Sequence, residues 1–137
     1  MREGTVREGT VVPEELRYTP EHEWVLIGAD GTARIGITDY AATQLGDVVY
    51  VELPLVGDSF ESGDPVGEVE STKSVSEIFA PVTGEVVARN AALEDSPELV
   101  NSDPYGEGWM IEIKLNETSE VDSLLDAEDY RDLIEQV

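Results

Sequence analysis

The stretch Val69-Glu70-Ser71-Thr72-Lys73-Ser74-Val75-Ser76-Glu77 places one lysine between two short runs of mixed apolar and polar residues. The run before it (64–70) and the run after it (75–79) are both typical of strands. Small polar residues between the two runs tolerate turn geometry. The stretch therefore predicts a β-hairpin with Lys73 at or beside its tip.

A lysine on a hairpin tip has two interpretations. It can be a solvated turn residue, or a charge that keeps an edge strand from pairing with another chain. It can also be a site of covalent attachment, because an acid joined to the Lys73 amine by an amide becomes a long flexible arm. The amide nitrogen does not titrate as the amine does, so the modification also removes the charge.

The segment around Lys73 resembles the lipoyl-attachment segment of the glycine cleavage system H protein family. Further segments resemble that family in the same order, from about Pro13 to the C-terminus. They are His22-Glu23-Trp24-Val25, Gly36-Ile37-Thr38-Asp39-Tyr40-Ala41, residues 45–54 (LGDVVYVELP), Gly84-Glu85-Val86 and Val100-Asn101-Ser102-Asp103-Pro104-Tyr105-Gly106. A lysine in a hairpin alone would be weak support, whereas an ordered set of segments is specific.

The resemblance implies a mostly β fold. Two small sheets would pack face to face as a barrel-sandwich hybrid, with the lipoyl/biotinyl-like hairpin, short peripheral helices and a C-terminal helix. Lipoate would be joined by an amide to Lys73. The lipoyl arm would take an aminomethyl group from glycine decarboxylase (glycine dehydrogenase) and deliver it to a folate-dependent aminomethyltransferase. Dihydrolipoamide dehydrogenase would then reoxidise the arm, and a lipoate ligase or a lipoyl/octanoyl transferase would have attached it.

The resemblance also implies a cleft in which the loaded arm folds back. Glu23 matches the family's acidic position after the histidine His22, and Glu77 matches the acidic or amide position four residues after the lysine. Glu21 stands where other members often have a small polar residue, so no role is carried over to it. Taken alone, His22 between two glutamates predicts a histidine with a raised pKa and a local structural hydrogen bond.

The net charge of −23 argues against nucleic acid as a partner, because no basic surface could neutralise phosphates. It also opposes binding to anionic membranes. Acidity can simply maintain solubility, and it can also steer the chain toward basic faces of partner enzymes. The two readings are compatible, and a monomer is the simplest expectation at this charge.

The length of 137 residues predicts one domain, and the resemblance implies that a lipoyl-carrier domain covers residues 13–137. Residues 2–6 and 7–11 repeat the sequence REGTV, and residues 1–12 are predicted to be a disordered extension. The N-terminus has acids beside its arginines and lacks an apolar stretch, unlike a signal or transit peptide. The expected location is the cytoplasm, and the mature form of an organellar protein is also compatible. No run of residues reaches the length of a membrane span.

Several further elements are predicted from the pattern. A short helix should cover 39–45, with Thr38 as N-cap and Gly46 as its stop. Residues 48–53 should form a strand buried on both faces. Residues 92–105 should be loop-like with one helical turn, and 109–115 should alternate between a buried face and a polar face that includes Met110. Two short helices should follow, beginning at Ser119 and Asp126.

No catalytic set is visible. A single histidine and no cysteine rule out histidine or cysteine metal clusters, and no Gly-x-Ser-x-Gly elbow or Gly-rich phosphate loop occurs. The chain is therefore expected to carry a group rather than to catalyse a reaction alone, and no metal is expected.

Other functions stay open at this point. A lipoyl relay to 2-oxoacid dehydrogenase complexes would use the same arm. A biotinyl carrier shares the hairpin lysine, but biotinyl sites usually have methionine on both sides of it, and here the neighbours are Thr72 and Ser74. An acidic interaction domain with an unmodified Lys73 is a third alternative.

Overall fold

The computed structural model describes residues 11–28, 30–117 and 119–135. In this part of the chain the strands are β1 (Arg17–Tyr18), β2 (Glu23–Ile27), β3 (Thr32–Ile37), β4 (Val48–Glu52), β5 (Ser59–Phe60), β6 (Pro65–Ser71), β7 (Val75–Phe79), β8 (Gly84–Arg89) and β9 (Ile111–Leu115). The helices are α1 (Asp39–Leu45), α2 (Ala92–Asp95), α3 (Leu99–Ser102), α4 (Ser119–Asp122) and α5 (Ala127–Glu135).

The strands form two antiparallel sheets. The larger has the order β1-β2-β3-β9-β8-β5, and the smaller, which carries the hairpin, has the order β4-β6-β7. Ile35 and Ile113 from the larger sheet share one buried cluster with Val51, Val69 and Ile78 from the smaller sheet. Burial of these apolar side chains between the sheets is the main force that holds them together. The predicted mostly β fold, a barrel-sandwich hybrid with short peripheral helices, is confirmed.

A second apolar cluster fastens the C-terminal helix to β1 and β2. Tyr18 and Trp24 are buried in it together with Tyr130 and Ile134 of α5. The rings of Tyr18 and Tyr130 stack with centroids 4.6 Å apart, and the backbone of Tyr18 exchanges hydrogen bonds of 2.8 and 2.9 Å with Leu125. The predicted C-terminal helices are present, and α5 begins directly after Asp126, which accepts a hydrogen bond from Asp129.

The predicted helix 39–45 is confirmed with both of its ends. The Thr38 hydroxyl accepts a hydrogen bond of 3.1 Å from the backbone N–H of Ala41. Gly46 ends the helix at a φ of 85°, a conformation that L side chains rarely adopt. The capping residues therefore fix where α1 begins and ends, which places its side chains beside the hairpin.

The prediction that 48–53 is buried on both faces is wrong. Val49 and Tyr50 of β4 are 49% and 55% exposed, and Glu52 is also exposed. The smaller sheet buries one face against the larger sheet, and no layer of the described residues packs over its other face. The run of β-branched and aromatic residues reflected strand propensity rather than two-sided burial.

Two smaller predictions also need correction. Residues 92–105 contain the expected helical turn as α3, and they also contain α2, where a loop was expected. Met110 was assigned to the polar face of a strand over 109–115, but it is 1% exposed, and the strand begins only at Ile111. Met110 precedes the regular pairing of β9, so the alternation of a strand does not extend to it.

Part of the predicted extension over 1–12 lies outside the described residues, which begin at Val11. The carbonyl of Val11 accepts a hydrogen bond from the Tyr105 hydroxyl, and that of Val12 accepts one from Arg131. No helix in the described part of the chain has the length and apolar character needed to cross a bilayer.

Candidate functional site

The hairpin tip is built by Ser71. Its hydroxyl oxygen accepts hydrogen bonds of 3.1 Å from the backbone N–H groups of both Lys73 and Ser74, and its own hydroxyl lies 3.2 Å from the Ser74 carbonyl. The N–H of Thr72 is bound by the carbonyl of Asp47 at 3.1 Å. The turn is thereby fixed on both sides of Lys73. Sequence reasoning treated Ser71 as merely tolerant of a turn, although a serine that binds backbone groups two and three residues on is a known turn-former.

Lys73 lies on this tip with an exposed side chain, as predicted. It makes no ion pair with any residue in the described ranges. Its stem passes over Gly46, where a Cβ atom would come within 3.1 Å of the Lys73 Cε. Asn101 holds this support in place, because its amide donates to the Gly46 carbonyl at 2.9 Å and its carbonyl oxygen accepts from Val48 N–H at 2.9 Å.

A cleft of about 410 Å³ opens beside the tip. It lies between the loop after β1, helix α1 and the hairpin with β7. Its lining comprises residues 21–23, Ile37, residues 40, 41, 44 and 45, Val69, and residues 74–78. The cleft thus brings together His22, Glu23 and Glu77, the three side chains named from sequence.

Glu23 is the buried carboxyl group of the cleft, with 1% of its surface exposed. It accepts hydrogen bonds from the Thr19 hydroxyl at 2.5 Å and from the backbone N–H of Phe79 at 3.1 Å, so it joins β2 to the end of β7. Burial raises the pKa of Glu23 to about 7, although both hydrogen bonds act to lower it. This carboxyl group can therefore exchange a proton near neutral pH.

His22 departs from the prediction made for it. Burial lowers the pKa of His22 below its usual 6.5, and the nearby carboxylate of Glu21 only partly opposes this effect. The predicted rise was wrong because the flanking glutamates were visible in the sequence, whereas the desolvation of the ring was not. The expected structural hydrogen bond is present, since His22 Nδ1 lies 2.8 Å from the Tyr130 hydroxyl.

Glu77 and Glu21 form the acidic rim of the cleft, and both are exposed. Glu77 also ends a row of carboxylates across the smaller sheet, where it pairs with Glu68, which in turn pairs with Glu52. Glu21 lines the cleft although the resemblance carried no role to it. Tyr40 of α1 is a further lining residue that sequence reasoning missed, because only the fold places α1 opposite the hairpin.

The arrangement suits attachment of a carboxylic acid and shelter of a cationic end group. The Lys73 amine is accessible for acylation, and the adjacent cleft offers carboxylates to a positively charged nitrogen. No group of three or more His, Cys, Asp or Glu residues in the described part of the chain is placed to hold a metal ion.

Comparison with known proteins gives consistent matches over most of the chain. The profile of the family described as "Glycine cleavage H-protein" matches residues 16–137. A glycine cleavage system H protein from Mycolicibacterium smegmatis is 59% identical over 127 residues, which cover 90% of this chain and 96% of the relative. One from a Psychrobacter species is 56% identical over 120 residues, covering 88% and 95%.

The fold has a close structural counterpart as well. The crystal structure of a glycine cleavage system H protein from Mycobacterium marinum superposes with a TM-score of 0.81 at 42% sequence identity. The match covers 88% of this chain and 97% of that one.

Proposed function

The chain belongs to the glycine cleavage H-protein family, and we propose that Lys73 is the residue through which it carries the lipoyl group. Members of this family are lipoyl carriers of the glycine cleavage system and do not themselves catalyse its reactions. The assignment of the group to Lys73, the use of the cleft and the individual partner enzymes are the proposal.

The presentation of the Lys73 amine carries the proposal. The side chain is exposed on a turn whose backbone is held by the Ser71 hydroxyl, and it has no ion-pair partner among the described residues. A modifying enzyme can therefore reach the amine without breaking a salt bridge. The chain contains one other lysine, Lys114, which lies within strand β9 and not on a turn. In the sheet register Lys114 lies opposite Glu85 of β8 and Thr32 of β3.

The cleft would receive the end of the lipoyl arm. When attached, the lipoyl group supplies a sulfur atom that can carry an aminomethyl group. Glu77 and Glu21 at the rim would attract the protonated nitrogen of that group, and Glu23 would meet it where water is largely excluded. Apolar side chains such as Ile37 and Val69 would cover the arm's hydrocarbon chain.

The partners follow from the family, whose members interact with the enzymes of glycine cleavage. We assign glycine dehydrogenase (decarboxylating), a folate-dependent aminomethyltransferase and dihydrolipoamide dehydrogenase as the enzymes that the arm visits. A lipoate ligase or a lipoyl/octanoyl transferase would load Lys73. The carrier would act as a monomer in the cytoplasm, where tethering keeps the intermediate at high effective concentration near successive active sites.

The decisive experiment is the intact mass after incubation with a lipoate ligase, lipoate and ATP. We expect one lipoyl increment on the native chain and on Lys114→Arg, and none on Lys73→Arg. Arginine keeps the positive charge but cannot form this amide, so the two variants differ only in which lysine remains.

An increment that persists in Lys73→Arg would reject Lys73 as the site. Absence of any increment on the folded native chain would overturn lipoyl attachment, and incubation with a biotin ligase would then test the biotinyl alternative. Failure of both would leave an unmodified acidic interaction domain.

A further inference from the structure

The hydroxyl group of Tyr130 links the two walls of the cleft from the C-terminal helix. It lies 2.8 Å from Nδ1 of His22 in the loop after β1, and 2.8 Å from the Thr38 hydroxyl at the start of α1. Tyr130 itself is fully buried and does not line the cleft. Its ring already packs against Tyr18, so the apolar packing of α5 does not need the hydroxyl.

The backbone of His22 shows that this wall is held under constraint. Its φ of 75° is unusual for a residue other than glycine. Hydrogen bonds of 3.0 Å join its N–H to Thr19 and its carbonyl to the N–H of Thr38, and its ring lies between Tyr40 and Tyr130. A strained conformation of this kind persists where the surroundings determine it, and Tyr130 is one of those surroundings.

The hydrogen bonds that link Thr38, Tyr130 and His22 have one direction in which both hydroxyl hydrogens find an acceptor. The Thr38 oxygen accepts from Ala41 N–H, and the buried Thr38 hydroxyl hydrogen has the Tyr130 oxygen as its acceptor among the described residues. In this direction the Tyr130 hydroxyl hydrogen is left for His22 Nδ1, which lies 2.8 Å from the Tyr130 oxygen. The opposite direction would leave the Thr38 hydrogen without an acceptor among the residues that the structure describes, which is costly in a buried site.

This polarity requires His22 to be neutral, with its proton on Nε2. The ring contacts Tyr40 of α1 and Tyr130 of α5. The carboxyl-bearing residues Glu21, Glu23 and Glu77 line the same cleft as His22. Burial keeps the pKa of His22 low in spite of the Glu21 carboxylate, in agreement with a neutral ring. Protonation at Nδ1 would make His22 the donor to Tyr130 and Tyr130 the donor to Thr38, so both hydrogen bonds would reverse.

We propose that Tyr130 is a positioning residue of the cleft, whose hydroxyl sets the tautomer and orientation of His22 and holds that wall to the start of α1. The inference rests on the proposed function in so far as the cleft is taken to shelter the lipoyl arm. Its first consequence, the state of the His22 ring, is independent of lipoylation.

The variant Tyr130→Phe tests this directly, because it keeps the ring that stacks on Tyr18 and removes only the hydroxyl. His22 is the single histidine of the chain, so its ring ¹⁵N signals are unambiguous. In the native chain we expect the shifts of a neutral ring protonated on Nε2. In Tyr130→Phe we expect a mixture of tautomers and a titration midpoint shifted to higher pH, because the donor that favours the neutral form is gone.

Tyr50→Phe is the matched control, since it removes a phenol hydroxyl from the exposed face of the smaller sheet and should leave His22 unchanged. Identical ring shifts and titration midpoints in native protein and Tyr130→Phe would overturn the inference. This result would hold whether or not Lys73 accepts lipoate, so the two proposals fail separately.

A second measurement follows the loaded arm. On lipoylated protein charged with an aminomethyl group, we expect water to hydrolyse the adduct of Tyr130→Phe to formaldehyde, ammonium and the dihydrolipoyl thiol roughly three- to tenfold faster than that of the native chain. His22→Asn cuts the same link from its other end, and asparagine tolerates a positive φ. The effect of Tyr130→Phe should disappear in the His22→Asn background, whereas additive effects would contradict the link.

Discussion

At Glu23 the fold holds a carboxyl group out of water and raises its pKa from 4.5 to about 7. Between these values the folded state binds more protons than the unfolded chain, so the free energy of unfolding falls as the pH rises from about 4.5 to 7. The fall due to this group is about 3 kcal/mol. We expect Glu23→Gln to remove it, because the glutamine side chain can donate to Thr19 and accept from Phe79 while it does not titrate.

Urea denaturation of both proteins across this range of pH measures the difference. The comparison isolates Glu23 from His22, whose lowered pKa gives a loss of stability at acidic pH in both proteins alike. Parallel curves for native protein and Glu23→Gln would contradict the assignment of a raised pKa to Glu23.

For single residues, the sequence predicted position well but predicted protonation poorly. The tip position of Lys73 could be predicted because turn-forming residues surround it. The lowered pKa of His22 could not, since it depends on burial under Tyr40 and Tyr130, which lie far away in the chain. The role of Tyr130 likewise depends on α5 packing against β1, a contact that no local pattern indicates.

At the scale of elements, the hairpin and its neighbours show which part of a sheet can be predicted. The register of β6 with β7 follows from the tight turn, which sets Glu70 opposite Val75. The register of β4 with β6 was not predictable, because an irregularity between Val48 and Tyr50 interrupts it. The exposed face of β4 was missed for a different reason, because strand propensity does not show whether a second layer covers a sheet, and Val49 and Tyr50 stay 49% and 55% exposed.

The carboxylate row across this sheet should cost stability. Glu68 lies directly opposite both Glu52 and Glu77, and like charges at such positions repel. We expect Glu68→Gln to raise the free energy of unfolding by about 0.5 kcal/mol. Urea denaturation at low salt would measure the gain.

A matched variant on the larger sheet, Glu85→Gln, gives the contrast. Glu85 lies opposite Lys114 and Ser59, so loss of its charge should give no gain or a small loss. An equal gain in both variants would show that the effect comes from net charge and not from the row.

At the scale of the whole molecule, 31 acidic residues against 8 basic ones make charge repulsion a general feature. Charges repel one another over a screening length of about 30 Å at 0.01 M salt, and this length falls to about 8 Å at 0.15 M. We therefore expect the urea concentration at the unfolding midpoint to rise when the salt concentration is raised from about 0.01 M to about 0.15 M. Sodium chloride and potassium chloride should act alike, and an unchanged midpoint would mean that surface repulsion contributes little.

The pairing of β3 with β9 joins Thr32 to Lys114, whereas the hairpin around Lys73 is made from neighbouring residues. A nascent chain therefore contains the hairpin long before it contains β9, and an isolated hairpin is only marginally stable in water. The larger sheet lacks its strand between β3 and β8, and the cleft lacks Tyr130 behind it, until β9 and α5 have been translated. Strand β9 and helix α5, which complete the larger sheet and the support behind the cleft, are thus translated after the hairpin that they support.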